Sequence, residues 1–209
     1  AAEKAYTNIT PKSLQASVTN YQVLQALSPI AQLMLDIDAL KPTSADYREK
    51  VDAARKSYTT NIGTEVVVEK PVNIKERVAK DYEPKIDVAE KILKAADDIV
   101  AAISGLKTLP GQQFMDALSK ASLDYKEAPA NVKKNVTNAK DLTALEKDYK
   151  ASLTVFNLIE KLPPLKDKGY VKKVDAAEKA YQKLNETQRG YVYNYQTKLA
   201  GVLEVAQLI

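Results

Sequence analysis

From Asp81 to Leu106 the apolar residues fall into two interleaved series. Tyr82, Ile86, Ala89, Leu93, Ala96, Val100 and Ile103 keep the spacing of one buried helix face. Val88, Ile92, Ala95, Ile99, Ala102 and Leu106 keep the same spacing, shifted on the helix wheel. This pattern predicts one helix with a wide apolar sector and neighbours on two sides. At ~1.5 Å per residue it would run roughly 39 Å, enough to leave one small bundle and enter the next.

Similar helices are predicted elsewhere. Val23, Leu27, Ile30, Met34 and Ile37 mark a long one that should continue to Leu40 with a kink at Pro29, because the apolar spacing is unbroken there. Thr10-Pro11 offers an N-cap and a first-turn proline for a short helix to about Asn20, and Asn185-Glu186 opens an equivalent one. Leu109-Pro110-Gly111 breaks the chain after Leu106, and Pro164 and Gly169 break it after Leu162.

The elements recur. Ile103, Leu106, Tyr125, Val136 and Asn138 each reappear in kind 56 residues later as Ile159, Leu162, Tyr181, Val192 and Asn194. An earlier copy holds Ile37 and Leu40, then Val51, Ala54 and Tyr58, standing 66 and 67 residues ahead of their counterparts. AAEKAY at 1–6 returns at 176–181, and Val18-Thr19-Asn20-Tyr21 matches Val192-Tyr193-Asn194-Tyr195 with a one-residue slip, so the chain opens on a repeat whose start is missing. About nine additional residues lie between Tyr58 and Val78, within 59–73. There Val66-Val67-Val68 predicts an extended arm or a long inter-helix loop.

The expected fold is all-α: an elongated rod of consecutive small three-helix bundles joined by shared long helices. Its segments would be 1–36, the end of a preceding repeat; 37–102, a repeat with the inserted loop; and repeats 103–158 and 159–209.

Composition narrows the chemistry. The chain has no Cys, His or Trp, which removes the usual acid-base, thiol and zinc-ligand side chains; no catalytic, cofactor or metal motif is left, and an enzyme is not expected. A net charge of +4 with Lys and Glu interspersed argues against nucleic acid. No apolar run long enough to span a bilayer is present, nor a signal-peptide pattern. The chain begins at Ala1 and not at Met, as a mature product or a piece of a longer protein would.

Of the 12 tyrosines, Tyr6, Tyr58, Tyr125 and Tyr181 share one repeat position and are expected to pack with the hydroxyl at the rim. Tyr191, Tyr193 and Tyr195 cannot all face inward from one helix. With Tyr170, Lys172, Lys173 and Arg189 nearby, Tyr191 and Tyr193 make a candidate surface for an anionic or sugar-rich polymer; the competing reading packs two of the three tyrosines and exposes the third. Asn8, Asn135 and Asn185 head glycosylation-type triplets, read here chiefly as helix caps. Asp97-Asp98 and Asp36 with Asp38 lack a third ligand at metal spacing.

The stretch LIEKLPPL…Y..KVDAAEKAYQKLNETQRGYVYNYQTKL at 158–199, echoed over most of the chain, resembles the helical repeats of large Gram-positive surface proteins, including S-layer proteins and their wall-binding regions. The resemblance implies an extracellular, wall-associated rod, a spacer or lattice component. Its partners would be further copies of itself or secondary cell-wall polysaccharide. Lys80 departs from the pattern, standing where the later copies have Asn138 and Asn194.

Overall fold

A computed structural model describes residues 2–10, 12–18, 20–62, 74–109 and 111–206, and among these every regular element is helical. The chain divides into two compact units. One comprises Ala1–Ala96 with Ala130–Asn135, the other Asp97–Pro129 with Val136–Ile209.

In the first unit α1 (Ala2–Thr7) and a 3-10 turn (Lys12–Ser17) precede α2 (Tyr21–Asp38). The short element expected after Thr10 is thus a 3-10 turn. Pro29 lies inside α2 and the helix runs through it, as the unbroken apolar spacing requires. Ile30, Leu33 and Ile37 bury one face of α2 against α3 (Tyr47–Ile62), whose Tyr47, Val51, Ala54 and Tyr58 form a single stripe. Burying each such large side chain contributes about 1.5–3 kcal/mol. Thr59–Ile62 are still helical, so the inserted stretch begins as helix. Its valines lie outside the described residues.

The long helix α4 (Ile74–Gly105) starts seven residues earlier than the apolar pattern announces and carries Pro84 inside it. Arg77, Ala79 and Lys80 are good helix formers, so nothing in that stretch stops the helix. One apolar series behaves as expected: Ile86, Ala89, Leu93, Ala96 and Ile103 are buried. The second does not form a buried stripe. Ile99 and Leu106 are buried, but Val88 is 56% exposed and Ala95 and Ala102 are exposed. Val88 and Ile92 instead line an open groove with Leu40 and Pro42 in the first unit. The wide sector is real in sequence, yet only its half directed at α2 and α3 is covered over residues 86–93.

In the second unit a 3-10 turn (Leu106–Thr108) leads to α5 (Gly111–Glu127); α7 (Ala139–Glu160), α8 (Tyr170–Gln182) and α9 (Glu186–Gly190) follow, while the short α6 (Ala130–Lys133) belongs to the first unit. The core near the C-terminal end of this unit joins Val155 and Ile159 of α7 to Tyr170, Val174 and Ala177 of α8, with Leu184, Val192 and Leu199. The chain then runs through a π-helical segment (Tyr195–Ala200) into α10 (Gly201–Ala206).

That π segment has a cause visible in the repeat. From Asn20 to Leu24 and from Asn138 to Leu142 is four residues, but from Asn194 to the fully buried Leu199 is five. A π turn accommodates the additional residue and restores the apolar register.

Candidate functional site

Among the described residues, the turns at Asn138 and Asn194 carry the same polar contacts in two copies of the repeat. At Asn138 and Asn194 the backbone turns just before a long helical segment. Asn138 Nδ2 donates to the carbonyl of Val100 (2.9 Å) and to Ser104 Oγ (3.1 Å). Asn194 Nδ2 donates to the carbonyl of Phe156 (3.1 Å) and to Glu160 Oε1 (2.8 Å). Both acceptors have moved by the same 56 residues as the donor. A further match is the amide oxygen, which in both copies is buried with no partner among the described residues. The side chain acts as a clamp on the preceding helix through its amide donors.

Around the second clamp the side chains interlock. Asn185 and Gln188 form a capping box at the start of α9, as Asn185-Glu186 announces, and Gln188 Nε2 also donates to Asp148 of α7 (2.8 Å). Ser152, fully buried, places its hydroxyl 2.8 Å from the Gln188 carbonyl. Lys198 pairs with Glu160, and the hydrogen bond from Lys198, then that from Asn194, holds the Glu160 carboxyl below its ordinary range. Asn135, by contrast, caps no helix; its amide donates to the carbonyls of Pro42 and Asn131.

The six residues marked for polymer binding are not gathered on one surface. Tyr170 is a core residue at 6% exposure, which the repeat itself announces: Tyr47, Phe114 and Tyr170 stand at one repeat position and all are buried. Arg189 donates to the carbonyls of Tyr181 (3.4 Å) and Gln182 (2.7 Å) and lies 5.6 Å over the Tyr181 ring, so its charge answers the C-terminal end of α8. Lys172 and Lys173 are exposed near the opposite end of that helix, about 15 Å away at ~1.5 Å per residue.

Tyr191 and Tyr193 lie in the turn after α9 and Tyr195 opens the π-helical segment, so the three are not on one helix and each finds a different partner. Tyr191 stacks on Phe114 (4.1 Å between centroids), and burial, followed by the Asp148 charge, raises its hydroxyl pKa. Tyr195 stacks on Tyr181 (3.7 Å). Tyr193 is 42% exposed; its ring leans on Phe156, its hydroxyl donates to Gln112, and it passes close over Gly111. Gly111 has φ +48°, and a Cβ there would also meet the Tyr193 ring at 3.4 Å, so both conformation and contact favour glycine. Comparison with protein families, with curated proteins and with solved structures found no match.

One cluster is missed by the sequence reading. Arg55 makes a two-pronged contact with Glu90 (2.8 Å each), bonds Asp87 and faces Glu83, to which the Tyr58 hydroxyl donates (2.8 Å). Burial, then the Glu83 contact, pushes the Tyr58 pKa up to about 12. The signal was present, since Glu83, Asp87 and Glu90 form an i, i+4, i+7 acidic stripe on α4. Among the described residues no group of acidic side chains is arranged to hold a metal ion, and no helix is long and apolar enough to cross a membrane.

Proposed function

We propose that this chain is a non-catalytic structural segment of a bacterial cell-surface protein of the S-layer kind, built as a rod of three-helix bundles that share long helices. The observation that supports it is the repeated clamp: Asn138 and Asn194 tie their turns to the preceding helix through equivalent carbonyls. A joint reproduced to the same backbone atom serves to carry one bundle into the next at a fixed geometry, which is a spacer's requirement and not a catalyst's. Wall polymer and further copies of the same repeat are the partners this role would bring, outside the cell.

Small-angle scattering of the 209-residue chain tests it. A rod gives a radius of gyration well above the about 17 Å of a compact domain of this length; a value near that figure overturns the rod. Sedimentation with purified cell-wall polymer tests the rival, a polymer-binding module. Saturable binding abolished by Tyr193→Ala together with Lys172→Ala and Lys173→Ala would favour that rival.

A further inference from the structure

Among the described residues, α1 and α2 lack a wall that the last bundle has. Ala2, Ala5, Tyr6, Ile9, Val18 and Leu24 line an apolar groove of about 540 Å3, with Asn20 on its lining. Their repeat counterparts are Ala177, Ala180, Tyr181, Leu184, Val192 and Leu199, with Asn194. In the last bundle that set is covered by Val155, Phe156 and Ile159 of α7, and Asn194 is 3% exposed. In the first block Ala2, Ala5 and Asn20 are exposed. The two sites agree even in their aromatic contact: Tyr6 stacks on Tyr21 with centroids 3.4 Å apart and planes at 9°, and Tyr181 stacks on Tyr195 at 3.7 Å and 14°.

We infer that the groove is the seat of an amphipathic helix of the α7 kind, which packs on α1 and α2 as α7 packs on α8 and the π-helical segment. The repeat specifies its chemistry. Apolar residues stand at i, i+4, i+5 and i+8, as in Ala151, Val155, Phe156 and Ile159, and the carbonyl at i+5 accepts from Asn20 as that of Phe156 accepts from Asn194. A hydrogen-bond acceptor stands at i+9, where α7 has Glu160. The occupant follows from the repeat correspondence alone, so wall binding can fail without touching it.

The chain carries its own probe. Because 176–181 and 1–6 are identical, residues 139–175 can be fused directly ahead of Ala1 without altering the junction. In this fusion the amides of Tyr21–Leu27 should exchange about tenfold more slowly, or slower still, than in the chain alone. A second fusion carrying Val155→Asp and Ile159→Asp in the added segment should leave them unchanged. Equal protection in both fusions, or none in either, overturns the assignment. Self-association of the unfused chain that is lost in Leu24→Asp would hand the groove to a second copy and overturn it as well.

Discussion

The joint at Asn194 and the joint near Lys80 meet the preceding helix at the same place with different chemistry. Asp38, Ser104 and Glu160 occupy one repeat position, each beside a buried isoleucine, Ile37, Ile103 or Ile159. At Ser104 and Glu160 the partner is an asparagine that also takes a backbone carbonyl. At Asp38 there is no asparagine to receive: Lys85 pairs with the carboxylate and the Tyr82 hydroxyl lies 3.3 Å from it. The backbone differs correspondingly. Asn138 and Asn194 sit in turns, whereas Lys80 sits inside α4. Replacing a turn former with a helix former lets the long helix run through the joint, and polar side chains one turn further on take over the slot. The repeat therefore holds the position of contact and leaves its chemistry free.

If the buried isoleucine is the common element, then Ile37→Ala, Ile103→Ala and Ile159→Ala should each cost about 2–5 kcal/mol. Val88→Ala, on the exposed second series, should stay within about 0.5 kcal/mol. Urea unfolding followed by circular dichroism measures all four. An isoleucine variant as mild as the valine one would break the equivalence of the joints.

Next in size are the clamps. Asn138→Ala and Asn194→Ala should each cost about 0.5–1.5 kcal/mol, the net worth of the side-chain hydrogen bond to a part-buried helix carbonyl, with Asn194 the costlier for being more deeply buried. The loss should not depend on salt, since the carbonyl contact carries no ion pair. A cost that vanishes in 
high salt would mean that Glu160 and not the Phe156 carbonyl is the operative acceptor.

These positions also show how far the sequence could be read. Helix existence, the pairing of 1–6 with 176–181 and the turn at each asparagine follow from periodicity and offset alone, because the apolar spacing and the turn residues recur together. Side-chain partnership is another matter. Asn138 and Asn194 announce a turn, but that their amides reach back 38 residues depends on how two helices pack, and only equal offsets at both ends would have suggested it. The second apolar series of α4 misled because periodicity gives the width of an apolar face without saying whether anything covers it. The placement of the Tyr and Lys candidates was beyond the sequence for a similar reason: Arg189 meets the C-terminal end of α8 and Lys172 lies in its first turn.

Acid should separate the joints further. The Lys85 contact holds the Asp38 carboxyl below its ordinary 3.8, and the Lys198 contact holds Glu160 below 4.5. A depressed folded-state pKa adds stability that is complete above the ordinary value and is lost as pH falls through the folded one. Unfolding midpoints should accordingly drop as pH falls below about 4.5, and the Asp38→Asn, Glu160→Gln double variant should show a shallower drop over that range. Ser104 contributes nothing to it, so Ser104→Ala should leave the slope as it is. An unchanged slope in the double variant would remove the carboxylates from the joints.

The smallest effect is expected where the repeat pattern is restored. Lys80→Asn puts the joint residue back at its register, but α4 is already helical through Ile74–Gly105 and Asp38 is already held by Lys85. The new amide gains no free turn to sit in. Asparagine is also the poorer helix former, by less than about 0.7 kcal/mol. The variant should thus be neutral or destabilised within about 0.5 kcal/mol, with far-UV helicity unchanged. Stabilisation by more than about 1 kcal/mol would be the size of a clamp bond gained. It would mean that the carbonyl of Met34, the counterpart of Val100 and Phe156, stands ready to accept and that the first joint keeps the geometry of the other two.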